Sequence, residues 1–545
     1  MKKVSKVLAI MLLAAFMVMT FAGCGGGGDQ NTQGNAADPG TTEGDGGAEK
    51  TLKNEIHIIP DNINTNLDIM LNTSDEANLV AHGSVFEQLV SMDAQYNIVP
   101  ELAEKVEISD DNTEYTYYLR QGVKFHNGET MTADDVVASM NRWIDNAGTA
   151  KDMVGEGAYF EKVDDNTVKI KMGHPCAWLN QLIAGFGQRP TIMPKSAIDA
   201  ANPQTGFVEE FIGTGPYKVD EIVEDQYIKL VKFDGYQPYG TPGEYSGYAG
   251  YKEAPTETIY FDFVSDANTI TAGMQTGQYD VTTAVPYDNY EMFANDPNYQ
   301  VELKELQIPM MIFNKKEGKA TNPVFRRAVA AAINADELMF AAYGNENFYE
   351  MYSSYMFKDQ VDWYTEAGSD RYNENNPERA KELFAEAGYD GSEPFRILVA
   401  NDSDDFMSMA TVIKSQLEKI DIPVELLVYD WSTFVSIRNN EPANYDAFIT
   451  AFGPKVLPSM NLFLSSTWAG WVDDARILDD LVKINTSATV EEGVAIWKDL
   501  QEYMWEENMP VIKFGNQKTF MVSPAGAEGL ELFEHIVFVN AKVYE

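Results

Sequence analysis

Cysteine is nearly missing from this chain: 545 residues contain two, Cys24 and Cys176. Two thiols allow at most one bridge, so a disulfide-stapled scaffold is excluded, as are C-x-x-C redox and zinc-ribbon motifs. Histidine is also scarce. The five residues His57, His82, His126, His174 and His535 are scattered, and no two stand at the spacing of a metal-ligand pair. Basic residues are outnumbered, with 40 Lys and Arg against 84 Asp and Glu and a net charge of −44. A polyanion of this size is repelled by phosphate backbones and anionic lipid surfaces, which excludes nucleic acid as a partner. No G-x-S-x-G elbow and no P-loop is present. Gly213-Thr214-Gly215 is followed by Pro216, which lacks the backbone donor that a dinucleotide loop uses. Asn62, Asn64, Asn66 and Asp68 alternate like a calcium loop but lack its central glycine and closing glutamate. No catalytic residue, metal ligand or cofactor is therefore expected. The many carboxylates contain no pair that the sequence singles out as an acid and a base.

Long apolar runs are limited to one, from Val7 to Ala22, behind Lys2 and Lys3. It is shorter than the roughly 20 residues of a comfortable membrane span and reads as a secretory leader. It ends in Phe21-Ala22-Gly23-Cys24, which resembles a bacterial lipobox and implies a diacylated Cys24 as mature N-terminus. Residues 1–23 are then the signal peptide. From Gly25 to Lys53 the chain is Gly, Asp, Asn, Thr and Glu with almost no apolar residue, too polar to fold. Residues 24–53 are expected to be a flexible tether reaching roughly 25–35 Å from the lipid. Cys176 is left without a partner; beside Pro175 and Trp178 it reads as a small packed side chain.

About 490 residues follow, enough for two or three domains. The stretch Gly122–Val136 (GVKFHNGETMTADDV) invites a catalytic reading because it holds a histidine, an Asn-Gly pair and three acids. Each residue but His126 has a local structural task. Asn127-Gly128 is a hairpin signal; Thr132 is placed to cap a helix with Asp134 and Asp135 in its first turn; Val136, Val137, Met140 and Trp143 form one apolar face. After residue 310, strands and helices alternate. Asn322 with Pro323 opens a helix expected to run through Arg326, Ala330 and Leu338 to Gly344, and Asn376-Pro377 opens another ending at Gly388. Helices are expected over Phe406–Ile420 and Glu491–Trp505, and strands over Val424–Tyr429 and Asn444–Phe452. This alternation predicts an α/β architecture.

Set in order, the segments VFEQLV (85–90), PELAEKVEISDDNTEYTYYLRQGVKFHNGETMTADDVVASMNR (100–142), GTGPYKV (213–219), FRRAVAAAIN (325–334) and NPERAKELFAEAGY (376–389) resemble the family 5 extracellular solute-binding proteins of peptide, nickel and related ABC importers. The resemblance covers essentially all of residues 54–545. It implies a two-lobe periplasmic-binding-protein-like fold with an extra domain inserted in the N-terminal lobe, and a cleft that closes on a ligand and delivers it to a membrane permease. By this reading the first lobe comprises 54–94, 209–307 and 516–545, the insert 95–208 and the second lobe 308–515. The crossing strands lie near Ile308–Asn314 and Pro510–Phe514. Implied partners are the permease and ATPase of an ABC transporter and a small-molecule or oligopeptide ligand. The protein is expected as a lipid-anchored monomer at the cell surface or the periplasmic face of the cytoplasmic membrane.

The family's peptide binders hold the ligand α-ammonium with an Asp in the loop after the strand matching Asn444–Phe452. Here the loop is one residue shorter and runs Gly453-Pro454-Lys455-Val456-Leu457-Pro458, which places Lys455 at or next to that position. A ligand group that is anionic or accepts hydrogen bonds is expected there. A metal chelate is disfavoured, because no histidine lies between 175 and 534. A cleft for a small polar ligand uses aromatic platforms and a few aimed polar groups. The candidates are Asn401, Asp402, Asp404 and Phe406 after one strand, Trp431 after the next, and Lys455, Asn461, Trp468 and Trp471 in the following segment. Two other readings stand beside this one: a surface sensor that uses the same cleft to signal rather than import, and a secreted hydrolase.

Overall fold

The period of the sequence changes within the strand Tyr299–Phe313. YQVELKELQ alternates apolar with polar residues, as a strand with one covered face does, whereas IPMMIF is continuously apolar, as a strand buried on both faces is. The computed structural model, which describes residues 51–545, follows this division. The leader, Cys24 and nearly all of the tether lie outside the described residues. The first part of the strand pairs antiparallel with Asn516–Pro524. The second part pairs with Ala447–Phe452 and Val511–Lys513 and is buried throughout. The register shifts between Glu305 and Gln307, where a bulge turns the strand from one neighbour to the other.

This strand joins two lobes into one twelve-stranded sheet. On one side Ala447–Phe452, Phe395–Ala400 and Val424–Tyr429 run parallel. On the other, after Asn516–Pro524, come Val281–Thr282, Glu55–Ile59, Thr258–Asp262, Tyr227–Lys232 and Tyr217–Val223. The fold is the α/β two-lobe type that the sequence predicts.

A separate four-stranded antiparallel sheet comprises Ala103–Ile108, Glu114–Leu119, Thr167–Lys171 and Phe160–Asp164. The helix Ala133–Asn146 packs on it through Val136, Met140 and Trp143, all buried. Its capping box is complete: the Thr132 hydroxyl accepts from the Asp135 amide, and the Asp135 carboxylate accepts from the Thr132 amide at 2.9 Å. Gly128 takes φ 87° in the turn before it. His126 packs its ring edge against Phe233. Its Nδ1 accepts from the Gly213 amide at 3.2 Å, and Nε2 meets the Gly215 carbonyl at 3.0 Å. Burial pushes its pKa down to about 4, so His126 is a neutral tie between hairpin and loop. The glycines of that loop are required by space: a Cβ on Gly213 or Gly215 would lie 2.0 Å from the Val85 carbonyl oxygen or 2.1 Å from that of Ser84.

One helix differs from expectation. The segment after Asn322 forms two helices, Pro323–Ala332 and Ala335–Tyr343. The apolar periodicity runs through the junction, but Asn334 accepts from the Glu337 amide at 3.4 Å and caps a new start. Cys176 is buried without a disulfide partner among the described residues, and burial pushes its thiol up to about 11, which keeps it protonated and unreactive. Among the described residues no helix is long and apolar enough to cross a membrane.

Candidate functional site

In the parallel part of the sheet the C-terminal strand ends all open on one edge, where α/β sheets place their ligand sites. The loop after Ala447–Phe452 leaves this edge and brings Gly453, Pro454 and Lys455 against the first lobe. There they close a cavity of about 170 Å³. The first lobe supplies Asp61 just past the end of Glu55–Ile59, Asp75, Glu76 and Leu79 of the helix Asp75–Ala81, Thr519 of Asn516–Pro524, and Glu534 and His535 near the C-terminus. Leu306 and Gln307 come from the long strand at its register shift. The cavity therefore sits at the passage between the lobes.

Its charges are arranged by lobe. Lys455 is the only lysine or arginine lining it, and its ammonium makes no ion pair or hydrogen bond among the described residues. The loop backbone is nevertheless fixed: Gln360 Nε2 donates to the Lys455 carbonyl at 2.6 Å, and Pro454 is buried. Opposite stand Asp61, Asp75 and Glu76, whose carboxylates likewise have no ion-pair or hydrogen-bond partner among the described residues. Asp75 and Glu76 also serve the first turn of their helix, which Ser74 caps. Asp61 meets solvent, but within a space that the lobes enclose. That desolvation, aided by the charge of Glu76 and opposed by His535, raises its carboxyl pKa. Glu534 is already occupied, paired with the buried Arg189 and accepting from the Tyr248 hydroxyl at 3.3 Å. The buried Nε2 of His535 lies 3.7 Å from the Glu534 carboxylate and has no hydrogen-bond partner among the described residues.

Of the nine residues expected at the site, Lys455 is the one that lines this cavity. Asn401, Asp402, Asp404, Phe406 and Trp431 open on the same sheet edge, because their strands run parallel to Ala447–Phe452. They lie one and two strand spacings away, about 5 and 10 Å. There the Asn401 amide donates to the Tyr429 carbonyl at 2.8 Å, and the Asp402 carboxylate accepts from the Trp431 amide. Asp404 starts the helix Asp404–Glu418, and Phe406 is half-buried against the core. Trp431 is 47 % exposed and stacks on Phe434 with centroids 5.3 Å apart. The remaining three are held elsewhere. Asn461 is buried, and its Nδ2 donates to the Pro458 carbonyl at 3.1 Å. Trp468 packs edge-on against Phe448 and Phe452, with the Arg438 guanidinium 4.8 Å from its ring. Trp471 carries the Lys316 ammonium at 5.0 Å. Lys316 follows Phe313, which pairs with Ala447, whereas the cavity end of that ladder is Ile308 with Phe452. Five residues of strand, about 17 Å, separate the two ends.

The sequence reading did not single out Asp61, Asp75, Glu76, Gln307, Thr519 or His535. Only Asp61 carried a usable signal, as the first acid after the first strand, where α/β sheets bind ligands.

The model of bacterial extracellular solute-binding proteins, family 5, matches residues 97–471. A probable peptide ABC transporter periplasmic-binding protein of Sinorhizobium fredii is 27 % identical over 456 residues, covering 79 % of this chain and 83 % of that protein. The periplasmic binding protein AgaA of A. tumefaciens R10, solved with agropinic acid, superposes with a TM-score of 0.72 at 23 % identity, over 90 % of this chain and 99 % of the other. The dipeptide-binding protein of Pseudoalteromonas sp. SM9913, solved with Met-Leu, gives 0.75 at 20 % identity, over 89 % and 99 %. The chain belongs to the bacterial extracellular solute-binding proteins of family 5 and is a binding protein of the ABC-importer type, not an enzyme.

Proposed function

We propose that the mature protein is a lipid-anchored receptor that captures a small solute between its lobes and hands it to the permease of an ABC importer. The observation that carries this reading is the cavity at the register shift of the bridging strand, with an ammonium on one lobe and carboxylates on the other that have no partner among the described residues. A space of about 170 Å³ is below the roughly 300–1,000 Å³ of ordinary ligand pockets, which favours a compact solute over a long oligopeptide. Two structural neighbours hold solutes of this kind, a dipeptide and agropinic acid, both bearing a carboxyl group. Lys455 is the group that takes the solute's anionic end. We assign 54–94, 209–307 and 516–545 to the first lobe, 95–208 to the insert and 308–515 to the second. Native mass spectrometry of the mature protein tests the reading: a bound small solute is expected, released intact on denaturation. A chemically altered solute would contradict a receptor that does no chemistry.

Anchoring through Cys24 is part of the same proposal. It rests on the short apolar run and the glycine-rich tether of the sequence. Cys24→Ser is expected to move the protein from the membrane to the soluble fraction and to abolish labelling by a fatty acid. Wild-type protein that takes up no label in a bacterial host would remove the anchor from the account.

A further inference from the structure

The insert meets the two lobes through different kinds of contact. Toward the first lobe it uses buried charges: Arg142 pairs with Asp68, Arg189 with Glu534, and Glu101 with Lys252. Parting such a pair strands a charge, so this side stays fastened. Toward the second lobe it offers an indole, an amide side chain and backbone groups. Trp178, at the start of the helix Leu179–Ala184, is fully buried. Its Nε1 donates to the Ser487 hydroxyl at 2.9 Å, and its ring lies 4.3 Å from that of Trp363. Beside it the Ala177 amide donates to the Ser487 carbonyl at 3.2 Å, and Asn112 Nδ2 donates to the Ala488 carbonyl at 2.7 Å. The second lobe makes room for the indole with a glycine, since a Cβ on Gly493 would lie 3.0 Å from the ring. Water can replace each of these hydrogen bonds, so the contact parts without stranding a charge. The same segment reaches the loop that carries Lys455. Gly185 ends the helix, and a Cβ there would lie 2.5 Å from a Val456 methyl carbon. The Trp363 amide donates to the Gln360 carbonyl at 2.9 Å, and the Gln360 side chain holds the Lys455 carbonyl.

We propose that Trp178 is the latch of the closed receptor, a positioning residue of the insert that docks on the second lobe when the lobes close. It rests on the receptor reading above and adds what holds the closed form. Trp178 does not line the cavity, so it acts through its neighbours. Opening draws Ser487, Trp363 and Gly493 away from the indole and leaves a large apolar surface in water. Closing buries that surface again. Through Gln360 and Val456 the same movement sets the Lys455 loop in place. Contacts made only in the closed form favour that form, and the solute gains affinity from every shift toward it. The insert thereby takes part in capture from outside the cavity.

The test is hydrogen exchange at the Ala177 amide, read by mass spectrometry of the peptide that carries it. The mature protein is compared as isolated, with its co-purified solute, and after unfolding, removal of the solute and refolding. Without the solute this amide is expected to exchange roughly tenfold faster or more, because opening removes its partner. Amides of the four-stranded sheet should keep their rates. Gly493→Leu, which fills the place of the indole, should bring the loaded protein to the solute-free exchange rate and speed solute loss roughly tenfold. The solute-free variant should keep the wild-type melting temperature, because the open form leaves the leucine unopposed. Trp178→Phe keeps a ring but not the bond to Ser487 and should fall between wild type and Gly493→Leu. Equal exchange in the two wild-type forms, or solute loss unchanged in both variants, would overturn the latch and leave the receptor standing. Wild-type protein that neither retains a solute nor takes one up from a host extract would overturn both.

Discussion

Truncating Lys455 to alanine is expected to weaken binding of the protein's own solute roughly 10- to 100-fold. A charge-assisted hydrogen bond in a partly dehydrated site contributes about 1.5–3 kcal/mol, and each 1.4 kcal/mol is a factor of ten in affinity. Lys455 has no other partner among the described residues, so its loss subtracts nothing from the protein's internal bonding. Its backbone is held independently by Gln360 and by the buried Pro454, so the loop keeps its place in the variant. Lys455→Asp should cost more, because it sets a carboxylate against the anionic end of the solute. Calorimetry with the solute that co-purifies measures the effect. A change within threefold would make Lys455 a surface charge without a role in capture.

The second large effect concerns stability. Arg142, on the helix Ala133–Asn146, forms a two-pronged pair with Asp68: Nη1 to Oδ1 at 3.0 Å and Nη2 to Oδ2 at 2.5 Å. Their side chains are 7 % and 0 % exposed. Nη2 also donates to the Gly206 carbonyl at 2.9 Å, and Asp68 accepts from the Val208 amide at 3.0 Å. Removing one member strands the other as a buried, uncompensated charge, which costs about 3–5 kcal/mol. Asp68→Ala is expected to destabilise the mature protein by that amount in chemical denaturation. Replacing both by Met or Leu should cost less than either single change, because no charge is then stranded. A single-variant loss below about 1 kcal/mol would contradict this reading. The same contact explains Asp68 itself, the last member of the alternating run that resembled a calcium loop.

Much of the scaffold was legible because its signals are local. Thr132 and Asp135 form their capping box, and Asn127-Gly128 its turn, from a dozen neighbouring residues. The crossing strand was expected near Ile308–Asn314 from the resemblance alone; the change of period within Tyr299–Phe313 marks the place, but it was read only with the strand in view. The break at Ile333–Asn334 was hidden because apolar spacing continues across it, and one asparagine cap decided the matter. The cavity was mostly illegible. Asp61 and His535 are separated by almost the whole described chain, and only the closing of the sheet brings them to one space. Asp75 and Glu76 read as ordinary first-turn acids, which they also are. Trp468 and Trp471 have the composition of ligand platforms, but sequence does not reveal which side or end of a sheet a tryptophan covers. Lys455 was found because it stands where the resemblance places an acid, a difference in charge that one sequence can display.

Solution scattering on the mature protein, with and without its co-purified solute, tests whether the solute is held between the lobes. A solute that bridges Lys455 to the first lobe favours the closed arrangement over any open one. At about 100 times its Kd it should also stabilise the fold by about 2.7 kcal/mol. A smaller radius of gyration is expected at saturation than in the solute-free protein, with the decrease lost in Lys455→Asp. An unchanged radius in wild-type protein at proven saturation would place the solute outside the interlobe cavity and rule out closure on it.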